Sequence, residues 1–497
     1  MRLVAAFLLL FWLLATNVSA QVVKRWKRNL DDAGHANDIG SVLLLQDTTY
    51  TCISRSSFVQ PGRLRWYRIS SNGSIISSSV LEDTLYTYVS GLGHSLMDRP
   101  DGSIWYAGSR LPFDGSEPDG ILFCYTAAGD TCWTRVFGGT AFEVFNGAAT
   151  ASDGGALLVG ARHLTQTDIY AVRVDTNGDS LWTRTYGAAG TTEYGMGVRP
   201  TLDNGFIVSG YKVLAGNNYD MYVLKLDSLG NQQWQHNYGS PWSDNAGFAE
   251  QLPDGRFVLA GGQRPSSTEA DRPVFYLLNS AGVELWHVLL DDGPEFSVFF
   301  TVPLLMADAG YVIAGGSSIG SQEQAMLVRL DSAGSLVWRR HYTNNTVTDH
   351  YFYDLRRTLD GGFIMAGTAF ATLPVSQDAW LVKVDSFGCL VPGCQVFDGL
   401  QEQFTDLGEA LQVYPNPARD HVQVQVELPP GFAVQGPLQV GLVSADGRLV
   451  QQQTLGALPP GQQVLHTLPL TGLSAGLYHL HLTDGNRWLS GTRLIVE

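Results

Sequence analysis

The sequence predicts an all-β protein, with a seven-bladed β-propeller followed by a small C-terminal Ig-like β-sandwich. Three observations lead to this prediction. A sequence motif with an Asp-Gly turn, here called the first phrase, recurs at intervals of 50 to 54 residues. A second motif, the second phrase, has an Asp-x-x-Gly turn and follows each copy. The last 87 residues do not contain this repeat. The chain is also rich in glycine, with 55 in 497 residues, and poor in charge at 16%, which suits many short strands joined by tight turns.

The first phrase is an Asp-Gly-type turn followed by an alternating apolar run that ends in Gly seven residues after the Asp. Aspartate opens such turns by accepting hydrogen bonds from its own backbone, and glycine supplies the positive φ. An alternating run after the turn predicts a strand. The copies begin at Asp101, Asp153, Asp203, Asp254, Asp308 and Asp360, with a degenerate copy at Asp47.

The second phrase is a hairpin turn whose Gly is followed by a Trp four residues later. The glycines are Gly73, Gly129, Gly178, Gly230, Gly282, Gly334 and Gly388, and the tryptophans are Trp133, Trp182, Trp234, Trp286 and Trp338. The first copy has Ser77 at the Trp position. Together the two phrases make a four-stranded unit, and a four-stranded repeat with a period of this length is typical of propeller blades.

The two ends of the repeat predict how the ring closes. The last copy stops at Gly388 without its Trp strand, whereas residues 22–30 contain Trp26 in an unmatched strand. We therefore predict that the strand at residues 22–30 completes the last blade, because this leaves no open sheet edge. The propeller then spans residues 21–388.

The N-terminus predicts export. Residues 1–20 combine a basic Arg2, an apolar run and the small-residue ending Val18-Ser19-Ala20, which is the pattern of a cleaved signal peptide. The apolar run is shorter than the roughly 20 residues of a membrane-spanning helix. The formal net charge of −16 predicts that nucleic acid is not a partner, since the overall field repels phosphate.

After a predicted linker at residues 389–410, short alternating strands with Pro and Asp-Gly punctuation predict a sandwich over residues 411–497. Three motifs follow one another along this region, and their defining residues are Pro415, Asn416, Pro417, Asp446, Gly447, Gly476 and Tyr478. This region resembles the type A (Por) C-terminal sorting domain of proteins that Bacteroidota export through the type IX secretion system. The acidic end at Glu497 departs from the basic residue that ends many members.

The resemblance implies a route rather than an activity. It implies passage through the periplasm, recognition of the tail by the type IX translocon, and removal of the tail by a sortase. The protein would then be released, or anchored to surface lipopolysaccharide, and it would be extracellular or on the outer cell surface. The blade phrases also resemble propeller repeats common in proteins with this tail, which supports the fold and leaves the function open.

Five cysteines in an exported chain permit two disulfides. Cys124 and Cys132 flank a hairpin turn symmetrically, which predicts one bridge across two strands. Cys389 and Cys394 are predicted to form the other across a short loop.

The variable loops of the repeat share one face of a propeller, so any ligand is expected there. Aromatic and acidic residues in the loops between blades predict a ligand-binding site made of Trp242, Asp244, Asp349, His350 and Tyr351. The expected ligand is a glycan or a protein.

Acidic residues also recur ten positions before the Asp-Gly turn, at Glu143, Glu193 and Asp244. If they ring the mouth of the channel they could hold calcium, which takes about 6–8 oxygen ligands. The alternative is that each caps its own blade through backbone hydrogen bonds. No other cofactor is expected.

The sequence carries no His-Glu-x-x-His, P-loop or paired Cys-x-x-Cys motif. We therefore expect a binding or interaction protein. The alternative is an extracellular polysaccharide hydrolase or lyase that uses carboxylates on the loop face, and a third possibility is a purely structural surface protein.

Overall fold

We analysed a computed structural model of the chain. The described residues are 24–30, 37–44, 47–56, 60–91, 94–214, 218–269, 271–290, 296–300, 303–319, 322–343, 349–370, 377–391, 394, 407, 410–434, 436–444, 448–456, 463–485 and 487–497. The predicted signal peptide at residues 1–20 and most of the predicted linker lie outside these ranges.

Seven antiparallel sheets, each with four strand positions, follow one another along the chain as blades. Blade 1 contains β2 (Asn37–Leu44), β3 (Tyr50–Ser56), β4 (Gly62–Ile69) and β5 (Ile75–Asp83). Blade 2 contains β6 (Tyr86–Ser90), β7 (Leu96–Asp98), β8 (Ile104–Pro112), β9 (Asp119–Tyr125) and β10 (Thr131–Phe137). Blade 3 contains β11 (Phe142–Thr150), β12 (Ala156–His163), β13 (Thr167–Val174) and β14 (Ser180–Tyr186). Blades 4 and 5 contain β15 (Thr192–Pro200), β16 (Phe206–Leu214), β17 (Asn218–Leu226), β18 (Gln232–Tyr238); and β19 (Phe248–Gln251), β20 (Phe257–Gln263), β21 (Arg272–Leu278), β22 (Glu284–Leu289).

Blades 6 and 7 contain β23 (Phe296–Phe300), β24 (Leu304–Leu305), β25 (Tyr311–Ile319), β26 (Gln322–Leu330), β27 (Leu336–Tyr342); and β28 (His350–Arg357), β29 (Phe363–Phe370), β30 (Gln377–Val384), β1 (Trp26–Leu30). The first strand is split into two pieces in blades 2 and 6, where β6 and β7 both pair with β8, and β23 and β24 both pair with β25.

The N-terminal strand closes the ring. β1 pairs antiparallel with β30, from Trp26 opposite Lys383 to Leu30 opposite Ala379, and so becomes the outer strand of blade 7. The Arg25 guanidinium also forms an ion pair with Asp385 at 2.7 Å, with both side chains largely buried. The first and last parts of the propeller are therefore joined in one sheet.

A tryptophan from each blade covers the hairpin glycine of the next blade. A Cβ on Gly73 would lie 2.7 Å from the Trp26 ring, so this position needs glycine for space as well as for its positive φ. In blade 1 the outer strand has no Trp, and Trp66 on β4 covers Gly129 instead. The other pairs are Trp133 with Gly178, Trp182 with Gly230, Trp234 with Gly282, Trp286 with Gly334, and Trp338 with Gly388.

The Asp-Gly turns are held by ion pairs. The Asp203 carboxylate lies 2.8 Å from Lys225, which is near the end of the third strand of the same blade, and Asp360 lies 2.9 Å from Lys383. Equivalent pairs occur at Asp47 with Arg68, Asp153 with Arg173, and Asp308 with Arg329. The turn aspartates are thus structural. The Asp-Gly turns lie on one face of the ring, and the variable loops lie on the opposite face, which we call the loop face.

The core lies between the blades. The second and third strands of each blade are covered on both faces, so they read as nearly continuous apolar runs, as in Ala156–His163 and Asn218–Leu226. One cluster joins Leu157 and Val159 of blade 3 to Val208 and Leu224 of blade 4. Each blade is therefore stabilised mainly by its neighbours.

The C-terminal unit has two sheets with a shared apolar core. One contains β31 (Leu411–Tyr414), β32 (His421–Glu427) and β35 (Gln463–Pro469), and the other contains β33 (Leu438–Ser444), β34 (Leu449–Thr454), β36 (Gly476–Asp484) and β37 (Arg487–Val496). The predicted fold class, a seven-bladed propeller followed by a β-sandwich, is confirmed.

Candidate functional site

Three consecutive blades carry a row of charged side chains at their loop-face ends. In blades 3 and 4 an acid on the first strand, a base on the second and an acid on the third lie side by side, and in blade 5 the three corresponding residues lie just outside the strands. The rows are Glu143–Arg162–Asp168, Glu193–Lys212–Asp220 and Asp244–Arg264–Asp271. Glu143 lies 2.9 Å from Arg162, and Glu193 lies 2.9 Å from Lys212.

This arrangement separates the three residues considered for calcium. Glu143, Glu193 and Asp244 lie in three different blades. Glu143 and Glu193 contact the second strand of their own blade, and Asp244 accepts a hydrogen bond from the N–H of Arg264, which directly follows the second strand of blade 5. Within the described ranges, no three His, Cys, Asp or Glu side chains are grouped so that they could hold a metal ion. Each acid is thus held within its own blade, Glu143 and Glu193 by a base of the second strand and Asp244 by the backbone N–H of Arg264.

Neighbouring rows also meet across the blade junctions. Asp119 ends a shorter row in blade 2, and its charge adds to burial in raising the pKa of Glu143. One oxygen each of Glu143, Glu193 and Asp220 is buried without a hydrogen-bond partner in the described structure. Each row holds two acids and one base, so the base does not neutralise its whole row.

One cavity, of about 360 Å³, lies at the junction of blades 4 and 5. We call it the blade 4–5 pocket. It contains a residue that the sequence singled out, Asp244. Its walls include Tyr211, Tyr219, Asp244, Asn245, Arg264 and Asp271. This volume is within the usual range for small-molecule sites, about 300–1,000 Å³.

One wall of the pocket is aromatic. Tyr194 and Tyr211 stack with ring centroids 4.7 Å apart, and Tyr211 and Tyr219 follow at 5.6 Å. Tyr219 is 39% exposed, so part of its ring is available to a ligand. Burial raises the pKa of Tyr211, which keeps its hydroxyl protonated.

The opposite wall is polar. The Arg264 guanidinium lies 2.9 Å from Asp271, and Asn245 donates a hydrogen bond to the same carboxylate. Asp244 accepts hydrogen bonds from the Ser240 and Arg264 backbone N–H groups and from the Ser240 hydroxyl. Burial nevertheless raises the pKa of Asp244 to about 6.

The loop that carries Asp244 also places Trp242. The Trp242 side chain is 42% exposed, and the neighbouring Ser243 hydroxyl accepts a hydrogen bond from Tyr219 N–H. The Asp244 carboxylate holds this loop in place through Ser240. Trp242 therefore belongs to the same loop as the pocket wall, although it does not line the cavity itself.

The other predicted ligand residues lie at blade 7. The Asp349 carboxylate accepts a hydrogen bond from Glu323 N–H, and Tyr351 packs edge-on against Phe370 at 6.0 Å. His350 is fully buried against Trp380, and burial lowers its pKa to about 4. These residues do not line the blade 4–5 pocket, so the five predicted residues divide into two places.

A second polar cluster lies on and beside the first strands of the blades, and the sequence reasoning missed it. Asp354 is completely buried and lies 3.1 Å from His94, while Arg199 lies 3.0 Å from Glu250. The sequence does mark this cluster at one repeat position, the residue four positions before each turn Asp. It is occupied by Leu43, Met97, Ala149 and Leu304 in four copies but by Arg199, Glu250 and Arg356 in the other three.

The sequence also contains a Gly-x-Ser-x-Gly spacing that begins at Gly316, and its Ser318 does not lie on a nucleophile elbow. A hydrolase nucleophile of this kind sits on a sharp turn between a strand and a helix. Here the Ser318 backbone lies inside β25 and pairs with Glu323 of β26.

The opening motif of the C-terminal unit is joined to its last strand. The Asn416 side-chain amide donates to Arg493 O at 2.7 Å, and its oxygen accepts from Ile495 N–H at 2.9 Å. Ala418 also bridges to Val496, and the Tyr478 hydroxyl donates to Ser474 O. Pro415 and Pro417 flank Asn416, while Asp446 and Gly447 lie outside the described residues.

Residues 412–497 match the family model of the secretion system C-terminal sorting domain. The sorting domain supports export from the cell or attachment to its surface, and it implies interaction with the type IX secretion machinery. Asn416 therefore has a structural role inside the sorting domain, since it ties the first strand to the last. No curated protein matches the chain.

Solved propeller structures are similar to the chain at low identity. The WD40 domain of Neurospora crassa Pan2 has 9% identity and a TM-score of 0.42, and the match covers 70% of this chain and 90% of that one. The periplasmic gluconolactonase PpgL of Pseudomonas aeruginosa has 12% identity and a TM-score of 0.41, covering 71% and 97%. Similarity at this level carries no inference about activity.

The cysteines differ from the prediction at one pair. Cys389 and Cys394 form a disulfide with a Cα–Cα distance of 5.5 Å. Cys124 and Cys132 are both free thiols. A β-bulge between Thr131 and Trp133 places Trp133, rather than Cys132, opposite Cys124, which explains why the symmetric pairing fails.

No helix in the described ranges is long and apolar enough to cross a bilayer.

Proposed function

We propose that the protein is an exported binding module whose loop face binds a glycan in the blade 4–5 pocket. The observation that carries this proposal is the combination, in one cavity of about 360 Å³, of tyrosine rings with the Arg264 and Asp271 pair. Ligand sites typically pair apolar and aromatic walls with a few placed polar groups.

A sugar ring matches this chemistry. Its C–H faces are apolar and pack on aromatic rings such as the exposed part of Tyr219, while its hydroxyls exchange hydrogen bonds with charged and amide groups. Trp242 lies on the loop next to the cavity and is also exposed, so it extends the aromatic surface available to a longer chain. A protein ligand is the other partner that this face would accept, through the same exposed aromatic side chains.

The route also forms part of the proposal. We infer that the tail is read by the type IX translocon and removed by a sortase. The propeller would then act outside the cell, either released or held on surface lipopolysaccharide. The sorting domain supports this route, and the sequence pattern of residues 1–20 supports the preceding step into the periplasm.

A second candidate function rests on one observation. The pKa of Asp244, raised to about 6, suits a general acid near neutral pH, as a polysaccharide hydrolase or lyase would need. Asp220 lies close enough for its charge to contribute to that rise. Binding is favoured over catalysis because the Asp244 oxygens already accept three hydrogen bonds that hold the loop.

Binding can be tested with the full-length protein on a glycan array, followed by titration calorimetry with the best ligand. We expect Tyr219→Ala to weaken binding at least tenfold, about 1.4 kcal/mol. Leu229→Ala is the matched control, because Leu229 is 65% exposed in a hairpin turn on the other face. Unchanged affinity in the Tyr219 variant would show that the ligand does not bind in the blade 4–5 pocket. If no glycan on the array binds the protein, a glycan is not its ligand.

Catalysis can be tested on the same ligands by following new reducing ends and unsaturated products from pH 4 to 8. If the protein is an enzyme, Asp244→Asn abolishes product while Asp349→Asn, at another blade junction, retains it. Absence of product with a ligand that binds would leave the binding function alone.

A further inference from the structure

A cavity of about 970 Å³ lies between the propeller and the C-terminal unit. We call it the tail cleft. Its volume is near the upper end of the usual range for small-molecule sites, about 300–1,000 Å³, and such sites often lie between domains. The walls include Lys24 and Trp26 from the propeller, and His479, Trp488 and Arg493 from the C-terminal unit.

The wall from the C-terminal unit is the outer face of its four-stranded sheet. Leu480 of β36 and Leu494 of β37 lie in the apolar core of the sandwich. Side chains alternate between the two faces of a strand, so the neighbouring residues His479 and Arg493 lie on the other face. These two residues pair directly across β36 and β37. Strand alternation therefore directs a basic side chain out of the sandwich and into the tail cleft.

The tail cleft is basic. None of the described residues that line it is acidic, whereas Lys24, Arg25 and Arg493 are cationic. Arg25 is already paired with Asp385 at 2.7 Å. Lys24 Nζ donates to a neutral partner, the Ser71 hydroxyl, at 2.8 Å, and the Lys24 residue is exposed. Arg493 is also exposed, and its guanidinium forms no ion pair with any of the described residues. Each wall thus offers one cation to a ligand.

The neighbouring groups leave this positive charge in place. Asp360 accepts a hydrogen bond from Lys24 N–H at 3.3 Å, but its carboxylate is paired with Lys383 at 2.9 Å. Burial and the charges of Arg25 and Arg493 lower the pKa of His479 to about 4, so this ring is neutral near pH 7. The whole chain has a formal net charge of −16, which makes a cleft without acids a local exception. A cleft lined by one sign of charge concentrates ligands of the opposite sign.

Two indole rings complete the tail cleft. Trp26 Nε1 donates to Ser71 O at 2.9 Å, and Trp488 Nε1 donates to His481 Nδ1 at 2.9 Å. Both tryptophans are partly buried. Because their N–H groups are engaged, the rings offer apolar surface to a ligand rather than hydrogen bonds. Such surface suits the C–H groups of a ring-shaped molecule.

We propose that the tail cleft binds a sugar-sized molecule with two anionic groups, one held by Lys24 and the other by Arg493. The anionic groups are phosphates or carboxylates, because guanidinium pairs such oxygens through two parallel hydrogen bonds and an ammonium attracts them as a point charge. Binding requires the propeller and the sorting domain together, since each supplies one wall and one cation. The site is separate from the blade 4–5 pocket and does not rest on the proposed glycan binding.

The first experiment is titration calorimetry of the full chain at low ionic strength with two probes, fructose 1,6-bisphosphate and digalacturonate. We expect one saturable site for at least one probe, with affinity that falls as sodium chloride is added. The two probes distinguish phosphate from carboxylate as the preferred group. No saturable binding of either probe would overturn the proposal.

The second experiment compares variants that remove one positive charge each. Lys24→Gln and Arg493→Gln should each weaken binding at least tenfold, since they take a cation from opposite walls. Arg419→Gln is the matched control, because Arg419 belongs to the same C-terminal unit, is 77% exposed in its side chain and does not line the cleft. Its affinity should stay within twofold of the wild type. Equal weakening in Arg419→Gln and Arg493→Gln would show general attraction by charge and contradict the site.

A third comparison separates the tail cleft from the blade 4–5 pocket. Tyr219→Ala, which alters that pocket, should leave binding of the anionic probe unchanged. Binding that is lost in Tyr219→Ala but kept in Arg493→Gln would place the probe in the blade 4–5 pocket and refute the tail cleft as its site. Circular dichroism of each variant confirms that the fold is retained, and Lys24→Gln gives an independent measurement from the propeller wall if Arg493→Gln does not fold.

Discussion

Replacing Trp26 with alanine should destabilise the propeller by about 3 kcal/mol, because Trp26 connects the two ends of the ring. Removing a buried Trp costs about 3–5 kcal/mol, and Trp26 is only partly buried, which favours the lower end. Its ring covers Gly73 and meets Tyr50 edge-on at 5.9 Å. The indole N–H also donates to Ser71 O at 2.9 Å, which contributes about 1 kcal/mol.

The assay is urea unfolding of the full chain followed by far-ultraviolet circular dichroism. Trp242→Ala is the matched control, because Trp242 is 42% exposed and covers no hairpin glycine. Such a surface change should cost within about 0.5 kcal/mol. If the two variants unfold at the same urea concentration, β1 does not lock the ring in the way its contacts indicate. Deleting residues 21–30 should lower the melting temperature further still, and an unchanged value would refute ring closure by this strand.

Three further predictions concern single side chains. Asn416→Ala should lower the stability of the sorting domain by about 1–2 kcal/mol and make it more sensitive to limited proteolysis, because two hydrogen bonds to the last strand are lost; unchanged cleavage would contradict this. In the native protein, iodoacetamide should label exposed Cys132 much faster than Cys124, whose pKa burial raises to about 12, and labelling of both at equal rates would show that the hairpin opens. The pKa of Asp244 in the folded protein is raised from 3.8 to about 6, so the stability that its protonated form contributes is lost as the pH rises towards about 6. Asp244→Asn should lack this loss. Parallel profiles of unfolding free energy against pH for the two proteins would contradict the prediction.

The repeat made the blades predictable from sequence because its turns use local chemistry. An Asp that accepts hydrogen bonds from its own turn, followed by a Gly at positive φ, acts over a few residues and does not depend on distant contacts. The unmatched Trp26 strand could be paired with the incomplete last copy for the same reason, since the period leaves one position empty. Trp66 could not be foreseen, because it reaches Gly129 from a different strand.

The cysteines show where local symmetry fails. Equal spacing of Cys124 and Cys132 about a turn predicts facing residues only if the hairpin is regular. The β-bulge shifts the register by one residue, and the same shift follows the corresponding turn in blades 1 and 3 to 6, where the positive-φ Gly of the motif marks it.

The fold class, the sorting domain and the residues that form the turns could be predicted from the sequence, because each depends on a short pattern that repeats or stands in a fixed order. Tertiary structure decided which charged residues meet. Glu143 and Glu193 share one repeat position and pair with bases of their own blades, whereas His94 and Asp354 are far apart in the chain and lie 3.1 Å from each other. A ring of blades brings distant inner strands to one centre, and no local pattern records which of their side chains will face each other there.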